Sequence, residues 1–206
     1  NTTAGGNVGI GADSLFANTT ASNNTAVGKA ALVANTTGDQ NTVVGSLAGD
    51  AITTGSNSVA VGYLALSATT TASDNNAFGV NALFSNTTGH SNTGLGRSAL
   101  RNNTTASNNT AVGHNSLLAN TTGALNTAVG NSALDTNTTG DDNVAIGRSA
   151  LTGNTTADNN VAVGGSSMEV NTTGDRNTAT GKDSLKLNTT GAANVALGYQ
   201  ALIANT

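Results

Sequence analysis

The sequence predicts an all-β fold, a parallel β-solenoid (a β-roll or β-helix) of twelve 17-residue coils. Glycine recurs every 17 residues from Gly11 to Gly198, with no insertion or deletion. A short run rich in β-branched residues precedes each of these glycines and is typical of a strand. Helical-hairpin repeats need about 33 residues, so a unit of 17 favours one β-coil stacked on the next.

We number the positions of a repeat as columns 1–17 from Asn1, and the consensus is N-T-T-[GA]-x-x-N-[TV]-A-V-G-x-x-[AS]-L-x-x. The N-T-T-G start predicts a corner, because Asn and Gly tolerate left-handed backbone. Columns 8–10 predict a strand, and the column 11 glycine predicts a positive φ or a close backbone neighbour. Coils stacked about 4.8 Å apart would align identical residues, so the Asn and Thr columns predict hydrogen-bonded ladders. A disordered low-complexity chain would not keep this register or its apolar columns 10 and 15.

The composition excludes several kinds of function. The chain has no Cys, which excludes disulfides and thiolate metal sites. Its net charge of −4 comes without a basic patch, and no apolar run approaches the about 20 residues of a membrane helix. We therefore expect neither nucleic-acid binding nor membrane insertion. All charged residues lie in columns 5, 6, 12, 13 and 16, which predicts that these five columns face solvent.

Column 9 holds only Gly, Ala or Val. Strand residues alternate faces, so an inward column 10 would direct column 9 outward. An outward column kept small predicts packing against a second copy in a rotationally symmetric bundle, and column 14 (Ala or Ser) is a second such candidate. The alternative is a tight bend that admits only small residues. The candidate interface residues are Ala26, Val43, Ala60, Ala77, Ala111, Ala128, Ala145, Ala162, Ala179 and Ala196.

The Asn-Thr-Thr corner is also an N-glycosylation sequon. The candidate glycosylation sites are Asn18, Asn35, Asn86, Asn103, Asn120, Asn137, Asn154, Asn171 and Asn188. We favour an Asn–Thr ladder, because stacked coils would crowd neighbouring glycans to about 5 Å. The Thr rows also suggest an ice-binding array, although adjacent residues on a straight strand face opposite ways.

The titratable residues do not form a predicted active site. Asp141 and Asp142 are the only acidic pair, and we expect a solvated corner there. His90 and His114 occupy different columns without a partner at ligand spacing. We therefore predict no catalytic, cofactor-binding or metal-binding residue, no cofactor and no enzyme activity.

One repeat departs from the consensus, with Gly49 in place of Leu and Ile52 in place of Asn. We expect Leu47 and Ile52 to refill the core there, in a locally looser coil.

The segment Asn57–Gly62 reads N-S-V-A-V-G and resembles the N-S-V-A-I-G motif of trimeric autotransporter adhesin heads. The longer form N-N-T-A-V-G-x-x-A-L-x-x-N-T-T-G resembles phage tail-fibre-like repeats, which often occur with endosialidase-type chaperone domains. The resemblance implies a homotrimer of left-handed β-rolls, with Val59 and Val61 inward and Ala60 near the subunit contact.

We expect residues 1–206 to be a single repeat domain, a segment of a longer fibre protein, since the chain opens on Asn and ends within a thirteenth repeat. The expected function is the shaft of a surface appendage or viral tail fibre that gives reach and rigidity. Its expected location is extracellular, on a cell surface or a virion, with any receptor bound by regions outside this segment. The alternatives are an ice-binding solenoid and a glycosylated extracellular filament.

Overall fold

The fold is a parallel β-solenoid, as predicted, in a computed structural model that describes residues 4–205. Its strands form one sheet in chain order, and each strand pairs in parallel with the next. The register joins each column to itself, as in Val8↔Thr25. The strands are β1 (Val8–Ile10), β2 (Thr25–Val27), β3 (Thr42–Val44), β4 (Val59–Val61), β5 (Asn76–Phe78), β6 (Thr93–Leu95), β7 (Thr110–Val112), β8 (Thr127–Val129), β9 (Val144–Ile146), β10 (Val161–Val163), β11 (Thr178–Thr180) and β12 (Val195–Leu197).

The rest of each coil is a series of turns with left-handed residues in columns 6, 13 and 15. In the eighth coil these residues are Leu125, Ser132 and Leu134, with φ of 61°, 52° and 54°. A left-handed backbone costs a non-glycine residue about 1–2 kcal/mol. Two features offset this cost at Leu134: its side chain is fully buried, and its N–H donates to the carbonyl of Ala150 in the next coil at 2.9 Å.

The apolar core is formed by columns 9, 14 and 15, represented by Ala128, Ala133 and Leu134. The predicted burial of column 15 is therefore confirmed. The predicted inward direction of column 10 is wrong, because column 10 and column 8 lie on the outer face of the sheet. The prediction that column 14 is a second interface is also wrong, because its residues belong to the core.

The predicted outward direction of column 9 is wrong as well. A Cβ added to Gly94 would lie 3.2 Å from the carbonyl oxygen of Ala99 and 3.5 Å from Cγ of Leu83. The opposite wall of the coil is thus so close that only one small residue per strand fits inside. Column 9 is at the middle of a strand, so the tight-bend alternative is wrong too.

The residues predicted as a subunit interface therefore line the interior of a single chain. Each of them is 3% exposed or less, so none can contact a partner in this fold. The arrangement implied for Val59, Ala60 and Val61 by the adhesin resemblance is reversed, with Ala60 inside. The corrected residues are Ala26, Val43, Ala60, Ala77, Ala111, Ala128, Ala145, Ala162, Ala179 and Ala196.

Both reasons predicted for the column 11 glycine are confirmed. Gly130 has a φ of 141°, which is accessible essentially only to glycine. A Cβ on Gly130 would also lie 2.5 Å from the carbonyl oxygen of Gly147 in the next coil. In column 11 the close backbone of the next coil and the positive φ together exclude a side chain.

The irregular repeat keeps its place in the stack. Ile52 is fully buried as predicted, and its Cδ1 would lie 3.0 Å from a Cβ on Gly49. Leu47 is only half-buried, and Val43 fills the space in its stead. The N–H of Gly49 still donates to Ala65 at 2.9 Å. The prediction of a looser coil is therefore wrong for the backbone.

Candidate interaction surfaces

The predicted asparagine ladder is present, and it forms a polar second core. In column 1, Nδ2 of Asn120 donates to Oδ1 of Asn103 and to the carbonyl of Gly123, both at 2.8 Å. From column 7, Nδ2 of Asn109 donates to the same Gly123 carbonyl at 2.9 Å. Oδ1 of Asn109 accepts the N–H of Asn126 in the next coil at 2.9 Å. In the regular coils two asparagine columns thus saturate the column 4 carbonyls and join each coil to its neighbours, whereas Ile52, Thr69 and Ser58 interrupt these columns.

This packing rules out the candidate glycosylation sites in the folded chain. Their amides lie inside the coil, at 4% exposure or less. In Asn120, Asn137 and Asn154, Nδ2 donates two hydrogen bonds, so a sugar on that nitrogen would break the ladder. The candidates disfavoured by this burial are Asn18, Asn35, Asn86, Asn103, Asn120, Asn137, Asn154, Asn171 and Asn188, and the asparagine ladder favoured from the sequence is the arrangement observed.

The paired threonines have different environments at the corner. In column 2, Oγ1 of Thr121 donates to the carbonyl of Thr138 at 2.9 Å, and Thr138 repeats this bond to Thr155 at 3.0 Å. These hydroxyls therefore belong to the ladder. The column 3 residues Thr122 and Thr139 are exposed and form an outer row.

Columns 5, 6, 12 and 16 are exposed or half-buried throughout residues 4–205, as their charges predict. The prediction that column 13 faces solvent is only partly right, because Ser98, Ser166 and Asp183 are buried there. Asp183 is compensated by Lys186, whose Nζ lies 3.1 Å from its Oδ1 and 3.1 Å from Oε2 of Glu169. These two carboxylates raise the pKa of Lys186.

The Asp and His side chains of column 5 form further hydrogen bonds between successive coils. Oδ1 of Asp141 accepts the N–H of Ala124 at 2.7 Å, and Asp158 accepts the N–H of Asp141 at 2.7 Å. Nδ1 of His90 accepts the N–H of Ser73 at 3.1 Å in the same column. Within residues 4–205 there is no cavity and no group of three or more His, Asp or Glu side chains that could hold a metal ion. The observed contacts assign these polar side chains to cross-coil hydrogen bonds.

One surface was missed by the sequence reasoning. The outward residues of β1–β12, in columns 8 and 10, form a strip that we call the sheet strip. Column 8 is Thr, Val or Asn, and column 10 is large and apolar except at Thr180. Ile10, Leu95 and Ile146 are 59%, 47% and 40% exposed. The sequence did indicate this surface, because column 9 holds only small residues, as a thin interior requires. Columns 8 and 10 must then face outward.

No family model, curated protein or solved structure matches this chain. Residues 4–205 contain no helix with the length and apolar character needed to cross a membrane.

Proposed function

We propose that this chain is a structural and adhesive shaft, a stiff spacer in a surface appendage or a viral tail fibre. The observation that carries the proposal is the unbroken, in-register ladder from β1 to β12. At about 4.8 Å per coil, twelve strands span about 55 Å. A rod of this kind supplies reach, and any receptor contact belongs to other regions of the fibre protein.

The cross-coil hydrogen bonds support stiffness. The sheet connects successive coils from β1 to β12. The asparagine columns and the column 2 threonines add side-chain bonds between most of these coils, as from Asn120 to Asn103 and from Thr121 to Thr138. The column 1 ladder is interrupted where Ile52 replaces asparagine. No coil between residues 4 and 205 has an inserted loop where the rod could bend. The resemblance of Asn57–Gly62 to adhesin-head repeats supports an extracellular, cell-surface or virion location and a homotrimeric assembly as parts of the same proposal.

An in-register tandem fusion tests the shaft. Residues 1–204 are twelve whole repeats, so two copies joined directly should form one continuous solenoid. Small-angle X-ray scattering should then give a maximum dimension about twice that of the single segment. The control carries a Gly-Ser linker of about ten residues between the copies and should bend at the joint. A direct fusion that scatters like the linked control would contradict a stiff shaft.

Ice binding is a second candidate function, favoured by one observation. The sheet strip carries threonines at the same column 8 position of several strands, and none of these positions is charged. The threonines concerned are Thr25, Thr42, Thr93, Thr110, Thr127 and Thr178. An ice-recrystallisation assay at micromolar protein tests this candidate, and unchanged ice growth would end it.

A further inference from the structure

We propose that the sheet strip is the surface through which copies of this chain pack against one another. This inference rests on the proposed shaft function and names its partner: a second copy, with the two rods parallel and side by side. It replaces the column 9 interface, whose residues are buried inside the chain.

The strip is continuous, and this distinguishes it from ordinary exposed apolar residues. Single exposed apolar side chains are normal on a protein surface, whereas a contiguous apolar patch marks a contact site. Column 10 stacks one apolar side chain on another along the rod, as Val129 pairs with Ile146 and Phe78 with Leu95. None of the column 8 or column 10 positions is charged.

The estimated area of the strip lies just above the lower limit for a specific contact. A strip about 55 Å long and about 10 Å wide covers about 550 Å² on one copy, or about 1,100 Å² over two. A specific interface buries at least about 1,000 Å² in total. The segment thus reaches that size with nearly its whole length, and each further coil would add to it.

The repeat itself identifies the partner as another copy. Successive rows of the strip are one coil apart along the entire rod, so only a partner with the same spacing can meet every row equivalently. A parallel copy necessarily has that spacing. Facing strips would also leave the charged columns outside the contact, as a polar rim.

The shape of the strip favours a second copy over ice. Phe78 and Leu95 stand beside β-branched neighbours in column 10, which makes the rows uneven in height. An uneven surface fits poorly on a regular crystal plane, but it can interdigitate with an identical surface. A strip only three residues wide also allows three copies to enclose one apolar axis, as the proposed homotrimer requires.

Light scattering coupled to size-exclusion chromatography tests the inference. The wild-type chain should elute at a multiple of 20.0 kDa. The double variant Val112→Glu/Ile146→Glu places charges on the strip in alternate coils and should elute as a monomer. The matched control Thr105→Glu/Thr139→Glu places the same charges on exposed column 3 residues of the same two coils and should keep the wild-type mass.

A milder pair keeps the test independent of folding. Val112→Thr/Ile146→Thr suits an exposed strand and should raise the dissociation constant at least about tenfold, with an unchanged circular dichroism spectrum. A wild-type monomer would overturn the inference, and one that also inhibits ice growth would assign the strip to ice. An oligomer that persists in both strip variants would overturn it too. The tandem-rod measurement is separate, so a stiff monomeric rod would leave the shaft function standing.

Discussion

Two stretches of the core fill equivalent space with different side chains. In the eighth coil and the first residue of the ninth, the space is filled by Ala128, Leu134 and Asn137, all fully buried. Leu134 supplies most of the apolar volume, and Nδ2 of Asn137 continues the ladder to Asn120 at 2.9 Å. This is the arrangement of a regular coil.

In the third coil and the first residue of the fourth, the same columns hold Val43, Gly49 and Ile52. Val43 and Ile52 are fully buried, and their methyl groups approach the position of the missing leucine side chain. The backbone bonds of the stack continue through this coil. The comparison teaches that volume in columns 1, 9 and 15 is maintained as a sum, whereas the glycine of column 11 is the same in both stretches.

The largest effect is expected where the two stretches agree. Gly45→Ala and Gly130→Ala should each destabilise the fold by about 4 kcal/mol or more, because each Cβ would strike a carbonyl oxygen 2.5 Å away at a φ that alanine avoids. Urea unfolding followed by circular dichroism measures this. Gly165→Ala is the control, since its Cβ would have only the carbonyl oxygen of Arg148 nearby, at 3.9 Å. Equal stability of all three variants would contradict the stacking role of column 11.

The next effect breaks the regular stretch. Leu134→Gly should cost about 2–4 kcal/mol, because the lost side chain leaves a cavity, while glycine relieves part of the left-handed strain. The triple variant Ala128→Val/Leu134→Gly/Asn137→Ile copies the irregular stretch and should recover at least half of that loss in the same urea measurement. A triple variant no more stable than Leu134→Gly would contradict maintenance of the summed volume.

The reverse change probes the irregular stretch. Gly49→Leu should cost about 1–3 kcal/mol by overpacking, since its Cβ alone would lie 3.0 Å from Cδ1 of Ile52 and 3.4 Å from Cγ2 of Val43. Adding Val43→Ala and Ile52→Asn restores the regular set and should remove the penalty. Thermal unfolding curves of the single and triple variants measure the coupling. Additive costs would mean that the three positions act independently.

The period of the sequence was sufficient to predict the coil, the parallel register and the inward Leu134 column. The direction of the strands was not predictable in the same way. Alternation shows that Thr127 and Val129 share a face, but it does not show which face is inside. The large apolar residue suggested column 10, whereas the close opposite wall admits only Ala128. The distance between the strand and the opposite wall is a property of the folded coil and cannot be obtained from the alternation of residues.

The errors in the predicted surfaces have the same cause, the wrong choice of the inward strand face. Since the sequence reasoning placed Val129 inside, it could not find the sheet strip, and it assigned the contact to a buried column. The ladder through Asn120 was predicted, because coil spacing leaves little room for glycans, but the burial of its side chain was not. The refilling of the core by Ile52 was also predictable, since one apolar residue replaces a polar one next to a lost leucine.

The smallest effect compares column 16 in the two stretches. Burial raises the pKa of Asp135, and this outweighs the hydrogen bond to Ser132 and the charge of His114, which lower it. A carboxyl group with a raised pKa in the folded state contributes stability while it is protonated, and that contribution is lost as the pH rises through the folded pKa. Asp135→Asn should therefore raise the free energy of unfolding at pH 7, by less than about 0.5 kcal/mol because solvent screens this partly exposed carboxylate. The gain should diminish as the pH falls through the folded pKa and vanish below the pKa of the unfolded chain.

The matched control is Asp50→Asn in the third coil, where Oγ of Ser67 donates to Oδ1 of Asp50 at 2.6 Å. Asparagine at position 50 keeps an oxygen that can accept the Ser67 hydroxyl, so the substitution should leave the free energy of unfolding at about pH 7 nearly unchanged. Differential scanning calorimetry at about pH 7 and about pH 3 separates the two residues. A stabilising effect of equal size at both positions would mean that general surface charge, rather than local burial of Asp135, sets the difference, because both substitutions remove one negative charge from the same column.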